Sequence, residues 1–208
     1  MGSLANCEAL EIDVLVDRVQ ATYDRINALT ADFEQVATLS SINRRQVSSG
    51  RLYIEKPNWI RWQYDKPEQQ TILYDGAVLQ IYTPRRQQLL RSAVDDNDRS
   101  NVAFLFLAGV VKLREVFVIT ALQETEAGHS LIRLLPRSPL AGFAELRAAV
   151  NQQSYLIEGL WILDPIGNLT EIRLSSLDLH TDLPASTFEL EIPPDAEILS
   201  PADFANPQ

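Results

Sequence analysis

The chain has 208 residues, 46% of them apolar, with 18 Lys and Arg against 28 Asp and Glu and a formal charge of −10. A chain of that charge is repelled by phosphate backbones and anionic surfaces, which argues against nucleic acid as a partner, and the apolar share is that of an ordinary folded protein with a sizeable core. No apolar run reaches the roughly 18 residues of a membrane span or resembles the apolar region of a signal peptide; the single Cys7 allows no internal disulfide; and His129 and His180 stand far apart with no ligand spacing around them.

In chain order, residues from about Glu8 to Leu29 read as an amphipathic helix, with Ile12, Leu15, Val19, Thr22, Ile26 and Leu29 recurring at intervals of three and four. From Thr30 the period becomes two, and Ala31, Phe33, Gln35, Ala37 and Leu39 alternate with polar positions, as in a strand. A turn at Asn43 leads to a long strand through Gln46 to Lys56. Pro57-Asn58 breaks it, and a Trp-rich strand follows. Leu52 and Ile54 of the first, with Lys56 at the margin, and Ile60, Trp62 and Tyr64 of the second are expected on one common face, either as core or as the wall of a cavity.

Strands over Gln70 to Tyr74 and Val78 to Tyr82 flank Asp75-Gly76, a hairpin signal because glycine accepts positive φ. Another begins at Gln87. After the acidic stretch around Asp95 to Asp98, the segment Asn101 to Gly109 predicts a short helix capped by Asp98 or Ser100 and ended by Gly109. Apolar nearly all round, it must be covered on most sides or cover something apolar itself.

Strands are then expected over Glu115 to Leu122, Ser130 to Leu135, Phe143 to Val150, Tyr155 to Leu163 and Leu169 to Leu179, with a turn at Asp164 to Asn168, and a last strand over Thr187 to Ile192 before an irregular tail. Trp161 and Phe188 read as core. About 11–12 strands with short turns and two helices predict a mainly β (α+β) chain: one large, curling antiparallel sheet whose concave face the helices fill. No nucleophile elbow, HExxH or phosphate-binding glycine loop is present, so neither an enzyme nor a cofactor is expected.

The helix followed by Leu29-Thr-Ala-Asp-Phe-Glu-Gln35, the Gly50-Arg-Leu-Tyr-Ile-Glu-Lys-Pro-Asn58 segment, Ile60-Arg-Trp62, Pro67 leading to Asp75-Gly76 and Leu79-Gln-Ile-Tyr82, the Asp164-Pro-Ile-Gly167 turn and the Phe188-Glu-Leu-Glu-Ile-Pro193 ending together resemble the LolA family of periplasmic outer-membrane lipoprotein carriers. The resemblance spans nearly the whole chain. It implies a single domain over residues 1–208, with 1–7 and 201–208 as irregular tails, built as an incomplete antiparallel β-barrel with an α-helical lid over an apolar cavity. It implies no catalytic centre and a periplasmic location, the export signal having been removed.

The same resemblance places acyl-chain contacts at Phe33, Leu52, Ile54, Ile60, Trp62 and Tyr64, and the lid at Val102, Phe104, Leu105, Phe106 and Leu107. The family's latch residue, an arginine before the strand-breaking proline, falls on Lys56, whose ammonium lacks the planar fork of an arginine, so a latch here has a different geometry. Implied partners are acylated lipoproteins or lipids, an inner-membrane release complex, an outer-membrane acceptor and a transient membrane-surface contact, with the protein a monomer. The alternatives are an envelope lipid or glycolipid binder, a lipoprotein-sensing half-barrel, or an outer-membrane acceptor lipoprotein anchored through Cys7.

Overall fold

The computed structural model describes residues 2–94, 112–138, 143–179 and 182–200, with residues 2–10 and 124–126 described by their backbone. Cys7 lies in that backbone-only part of the first helix. Val102 and the run from Phe104 to Leu107 lie outside the described residues.

Helix α1 (Gly2–Arg25) is followed by β1 (Ala28–Leu39), β2 (Arg44–Glu55), β3 (Trp59–Lys66), β4 (Gln70–Tyr74), β5 (Val78–Thr83) and β6 (Gln88–Ala93). A four-residue helix α2 (Leu113–Val116) then leads into β7 (Phe117–Glu126), β8 (His129–Pro136), β9 (Glu145–Asn151), β10 (Ile157–Leu163) and β11 (Leu169–Asp178), and the last element is β12 (Glu197–Leu199). The strands are hydrogen-bonded into one 12-stranded sheet in the order β12-β6-β5-β4-β3-β2-β1-β11-β10-β9-β8-β7. The order is open, and among the described residues no ladder closes β12 onto β7. The protein is therefore mainly β, with an incomplete rather than a closed sheet. Pairing is antiparallel from β2 to β6 and from β7 to β11, while β12 joins β6 in parallel. No helix among the described residues is long and apolar enough to cross a membrane.

The chain forms two compact units: one holds α1, α2, β7 to β10 and most of β11, the other most of β2 with β3 to β6 and β12, and β1 contributes to both. In the first unit, cross-strand register puts Ile132, Ala148, Leu160 and Ile172 in one row and Ile119, Leu134 and Leu146 in the next. Residues directly opposite in neighbouring strands share a face, and Ile132, Leu134, Leu146, Ala148, Leu160 and Ile172 are all buried. Helix α1 covers this face with Val16, Val19 and Tyr23. The helix starts earlier than Glu8 and ends at Arg25 instead of Leu29, because Ala28 to Ala31 are buried as strand residues of β1. Its buried stripe is accordingly Val16, Val19 and Tyr23, with Ile26 buried just past its end, one position round from the predicted stripe at Val16 and Tyr23.

Tyr23 fastens the helix to the sheet. Its hydroxyl accepts the Ile157 N–H at 3.2 Å, and burial, aided by the charge of Glu158 and opposed by that N–H, pushes its pKa up from 10.0 to about 12. In the unfolded chain the phenol loses its proton near pH 10, whereas the folded protein holds it to about 12. The stability gained by keeping it neutral is complete below pH 10 and is lost as pH rises through that window. Wild type is expected to lose on the order of 3 kcal/mol there through this group. Tyr23→Phe, about 1–3 kcal/mol less stable at neutral pH because Ile157 loses its acceptor, is expected to lack that alkaline component. Urea unfolding at neutral pH and between pH 10 and 12 checks both; parallel alkaline slopes for the two proteins would contradict the assignment.

A polar clamp holds α2 to α1. Arg114 donates to the Asp13 carboxylate at 2.6 Å and to Asp17 at 2.9 and 3.1 Å, Lys112 reaches Asp24 at 3.0 Å, and the Leu113 N–H donates to Gln20 Oε1 at 3.0 Å. These groups are half exposed, so each pair is worth about 1 kcal/mol or less, and the clamp acts by fixing where the chain enters β7. The predicted turn at Asp164 to Asn168 is present: Asp164 Oδ1 accepts the N–H groups of Ile166 and Asn168 at 3.0 and 2.7 Å, and Gly167 takes φ 90°.

In the second unit the expected strand over Thr187 to Ile192 does not form. Ala185–Phe188 is a 3-10 turn, and residues 189–192 are irregular. The Thr187 and Glu189 carbonyls are taken by Arg61 Nη1 of β3, at 2.8 and 3.1 Å, in place of a neighbouring strand. Pro184 on one side and Pro193-Pro194 on the other have no N–H to donate, so a ladder cannot extend past either end of this short segment. The strand comes later, at β12, within the tail read as irregular.

Candidate functional site

The Trp-rich stretch folds as the register argument requires. On β2 and β3, Leu52 lies opposite Trp62, Ile54 opposite Ile60 and Gly50 opposite Tyr64. Pairing continues outward: Trp62 faces Ile72 and Ile60 faces Tyr74 on β4, Ile72 faces Ile81 and Tyr74 faces Leu79 on β5, and Ile81 faces Leu90 on β6. Period-two pleating therefore collects Leu52, Ile54, Ile60, Trp62, Tyr64, Ile72, Tyr74, Leu79, Ile81 and Leu90 on one side. Phe33 of β1 joins them, its ring 4.8 Å from that of Trp62 and 5.0 Å, edge-on, from that of Tyr64.

Burial is graded across this face. Phe33, Leu52, Ile54, Ile60 and Trp62 are at most 3% exposed. Tyr64, Ile72, Tyr74, Leu79, Ile81 and Leu90 are half-buried. The structure thus brings together all six strand residues singled out in the sequence and extends them by a half-exposed apolar row on β4 to β6. The missed row was readable from the alternation of Ile72 with Leu73 and of Leu79 and Ile81 with Gln80, once the partner strands' register was known.

Lys56 stands just past the end of β2, half-buried, and its N–H donates to the Asn27 carbonyl at 2.8 Å. The lid residues lie outside the described part of the chain, as noted. The reverse face of the same strands is closed by the C-terminal segment: Leu73, Tyr82, Leu89 and Phe188 are buried there, and the Phe188 and Trp59 rings stand 5.6 Å apart. Phe188 is core as expected. Trp161, in the other unit, is only half-buried. Among the described residues no three His, Cys, Asp or Glu side chains gather as metal ligands would. The face offers apolar contact and aromatic edges to a ligand and, among the described residues, no charged group in its centre.

Comparison with known proteins gives this arrangement a context. A protein of Chromohalobacter salexigens named outer-membrane lipoprotein carrier protein is 25% identical over 183 residues, 88% of this chain and 85% of that one. A protein of the same name from Methylococcus capsulatus is 29% identical over 181 residues, 87% of this chain and 85% of that one. The crystal structure of an uncharacterized conserved protein from Thermus thermophilus shares the fold with TM-score 0.58 at 14% identity, covering 91% of this chain and 99% of that one. The family model for the outer membrane lipoprotein carrier protein LolA matches residues 24–191, and the chain accordingly belongs to the LolA family.

Proposed function

We propose that this protein carries lipoproteins through the periplasm, holding their acyl chains on the apolar face of β1 to β6 and passing them from an inner-membrane release complex to an outer-membrane acceptor. The observation that carries this reading is the match to the carrier family over the segment containing that face. On this reading Phe33, Leu52, Ile54, Ile60, Trp62 and Tyr64 form the floor of the acyl site, with the half-exposed row from Ile72 to Leu90 as its open part. Val102 and Phe104 to Leu107 supply the flap, and Lys56 stands at the rim where a latch would act. The protein works as a monomer without chemistry of its own: it binds, shields and releases.

The energetics fit a shuttle. An acyl chain of about sixteen carbons gains on the order of 12 kcal/mol on leaving water, at about 0.8 kcal/mol per CH₂. Covering Phe104, Leu105, Phe106 and Leu107 recovers roughly 1.5–3 kcal/mol each, on the order of 6–12 in all. Flap closure and the loading of a single acyl chain are thus comparable, so one chain can displace the flap and be displaced in turn.

Native mass spectrometry of the protein recovered from the periplasm of its own host tests the proposal. The expected species is a one-to-one complex with a triacylated protein, and the complex is expected to tighten in Phe104→Ala/Phe106→Ala, whose flap competes less for the same face. A bound glycolipid, or a lipid joined covalently to Cys7, would replace the carrier reading with a lipid-binding or an anchored-acceptor one. Unchanged loading in the double variant would remove the flap from it.

A further inference from the structure

The first unit carries a second concave site, on the face of β8 to β11 that α1 does not cover. Strict alternation defines that face: Arg133 lies opposite Arg147, Arg147 opposite Trp161, Glu145 opposite Leu163, and Leu163 opposite Leu169, all out of phase with the buried rows under the helix. A cavity of about 310 Å³ opens there, with Leu122, Leu131, Trp161, Leu163 and Leu169 as apolar wall and Glu145 and Arg147 at its polar end.

The polar end is constructed. The Glu145 side chain is only 9% exposed and sits between two guanidinium groups, accepting from Arg133 Nε and from Arg147 Nε at 2.7 Å each. Burial alone would favour its neutral form, but the hydrogen bonds and charges of Arg147 and Arg133 hold its pKa below the ordinary carboxylate value. Arg147 lines the cavity and Arg133, opposite it in register, stands beside it and also reaches Glu145 Oε2 through Nη2 at 2.5 Å; their side chains are 48% and 42% exposed, so neither arginine is closed off from solvent. Arg133 and Arg147 with the ionised Glu145 leave one net positive charge, and Arg173 beside them is balanced by Glu171 at 3.1 Å, on a chain whose total is −10.

The wall is equally fixed. Arg173 lies with its guanidinium 4.5 Å over the Trp161 ring. Gly159 leaves room for it: a Cβ there would crowd Arg173 Nη1 and the Ala149 side chain at 3.1 Å each.

We infer that this cavity binds a monoanionic amphiphile: a carboxylate on a short apolar tail, the head on Arg147 with Arg133 adjoining it and the tail along Trp161, Leu163 and Leu169. A single net charge suits a monoanion, and guanidinium forks recognise carboxylates. At roughly 30 Å³ per water-sized group, the space holds about ten such groups, the size of a medium-chain fatty acid. This site belongs to other strands than the proposed acyl face of β1 to β6, and its occupancy is independent of lipoprotein carriage.

Titration of the ¹⁵N-labelled protein with octanoate, octanol and octyltrimethylammonium, followed through the indole N–H of Trp161 and the Nε–H of Arg133 and Arg147, tests it. Octanoate is expected to shift these signals saturably, with affinity at least about tenfold above that of the neutral and cationic analogues. Arg147→Gln is expected to weaken octanoate by about tenfold or more. Because that change also disturbs Glu145, Leu169→Glu serves as a second variant: it places a repelling carboxylate at a position already 37% exposed and is expected to abolish the shifts with the spectrum otherwise intact. The inference is overturned if octanol binds as well as octanoate, if octanoate shifts Trp62 and leaves Trp161 unmoved, if no saturable shift occurs, or if both folded variants retain wild-type affinity.

Discussion

Gly50→Ala is expected to destabilise the protein by on the order of 3 kcal/mol or more. A Cβ at position 50 would stand 1.9 Å from the Gln63 carbonyl oxygen and 2.9 Å from Tyr64 Cα. Both are backbone atoms of β3, so no rotamer change relieves the contact and the two strands must part. The contact falls where the β2–β3 register shifts, between Ser49 and Gly50. Parting them also pulls Leu52 away from Trp62, and with it the centre of the proposed acyl floor. Gly128→Ala is the matched control. Its φ is +79°, so alanine is strained, but no atom lies within 4 Å of the added carbon, and the cost is expected to be about 1 kcal/mol. Urea denaturation of both variants decides the matter; equal midpoints would show that β2 and β3 tolerate a side chain between them.

Much of this architecture is readable from side-chain alternation, and the failures have identifiable causes. Gln70 to Tyr74 matches β4 at both ends, because Pro67 and Asp75-Gly76 punctuate it. Leu52, Ile54, Ile60 and Trp62 share a face as read, since strand pleating leaves no other choice once the strands are recognised. Thr187 to Ile192 has the same alternation and is not a strand. Its apolar residues pack on a sheet face while Arg61 takes its carbonyls, and period two alone does not distinguish a strand from an extended covering segment. Three-residue β12 and four-residue α2 are too short to carry a period.

The cavity beside Trp161 was missed for a related reason. Alternation separates two faces but does not say which of them is covered, and an aromatic in a strand reads as core. The available signal was Glu145 and Arg147 two residues apart on one strand, a charged pair on the face away from the buried Leu146 and Ala148.

Trp62→Ala is expected to cost about 3–5 kcal/mol, the range for truncating a large buried aromatic. Trp62 is 1% exposed, with the Phe33 ring at 4.8 Å and the Tyr64 ring at 6.4 Å, Leu52 paired to it on one side and Ile72 on the other. Such a loss alone does not distinguish a structural core from an acyl floor, so a second substitution on the same face is needed. Ile81 is half-buried and lies two strands farther out, in register with Ile72 and Leu90. Ile81→Asn forfeits only part of an apolar side chain's burial and is expected to cost about 1–2 kcal/mol, leaving the protein folded. If the face receives acyl chains, Ile81→Asn introduces a polar group where a lipid must lie, and uptake of a triacylated lipopeptide from mixed micelles is expected to fall by about tenfold. The stability change is small while the functional change is large, the reverse of what a packing role gives. Full uptake by folded Ile81→Asn would confine the site to the buried strands or remove it from this face altogether.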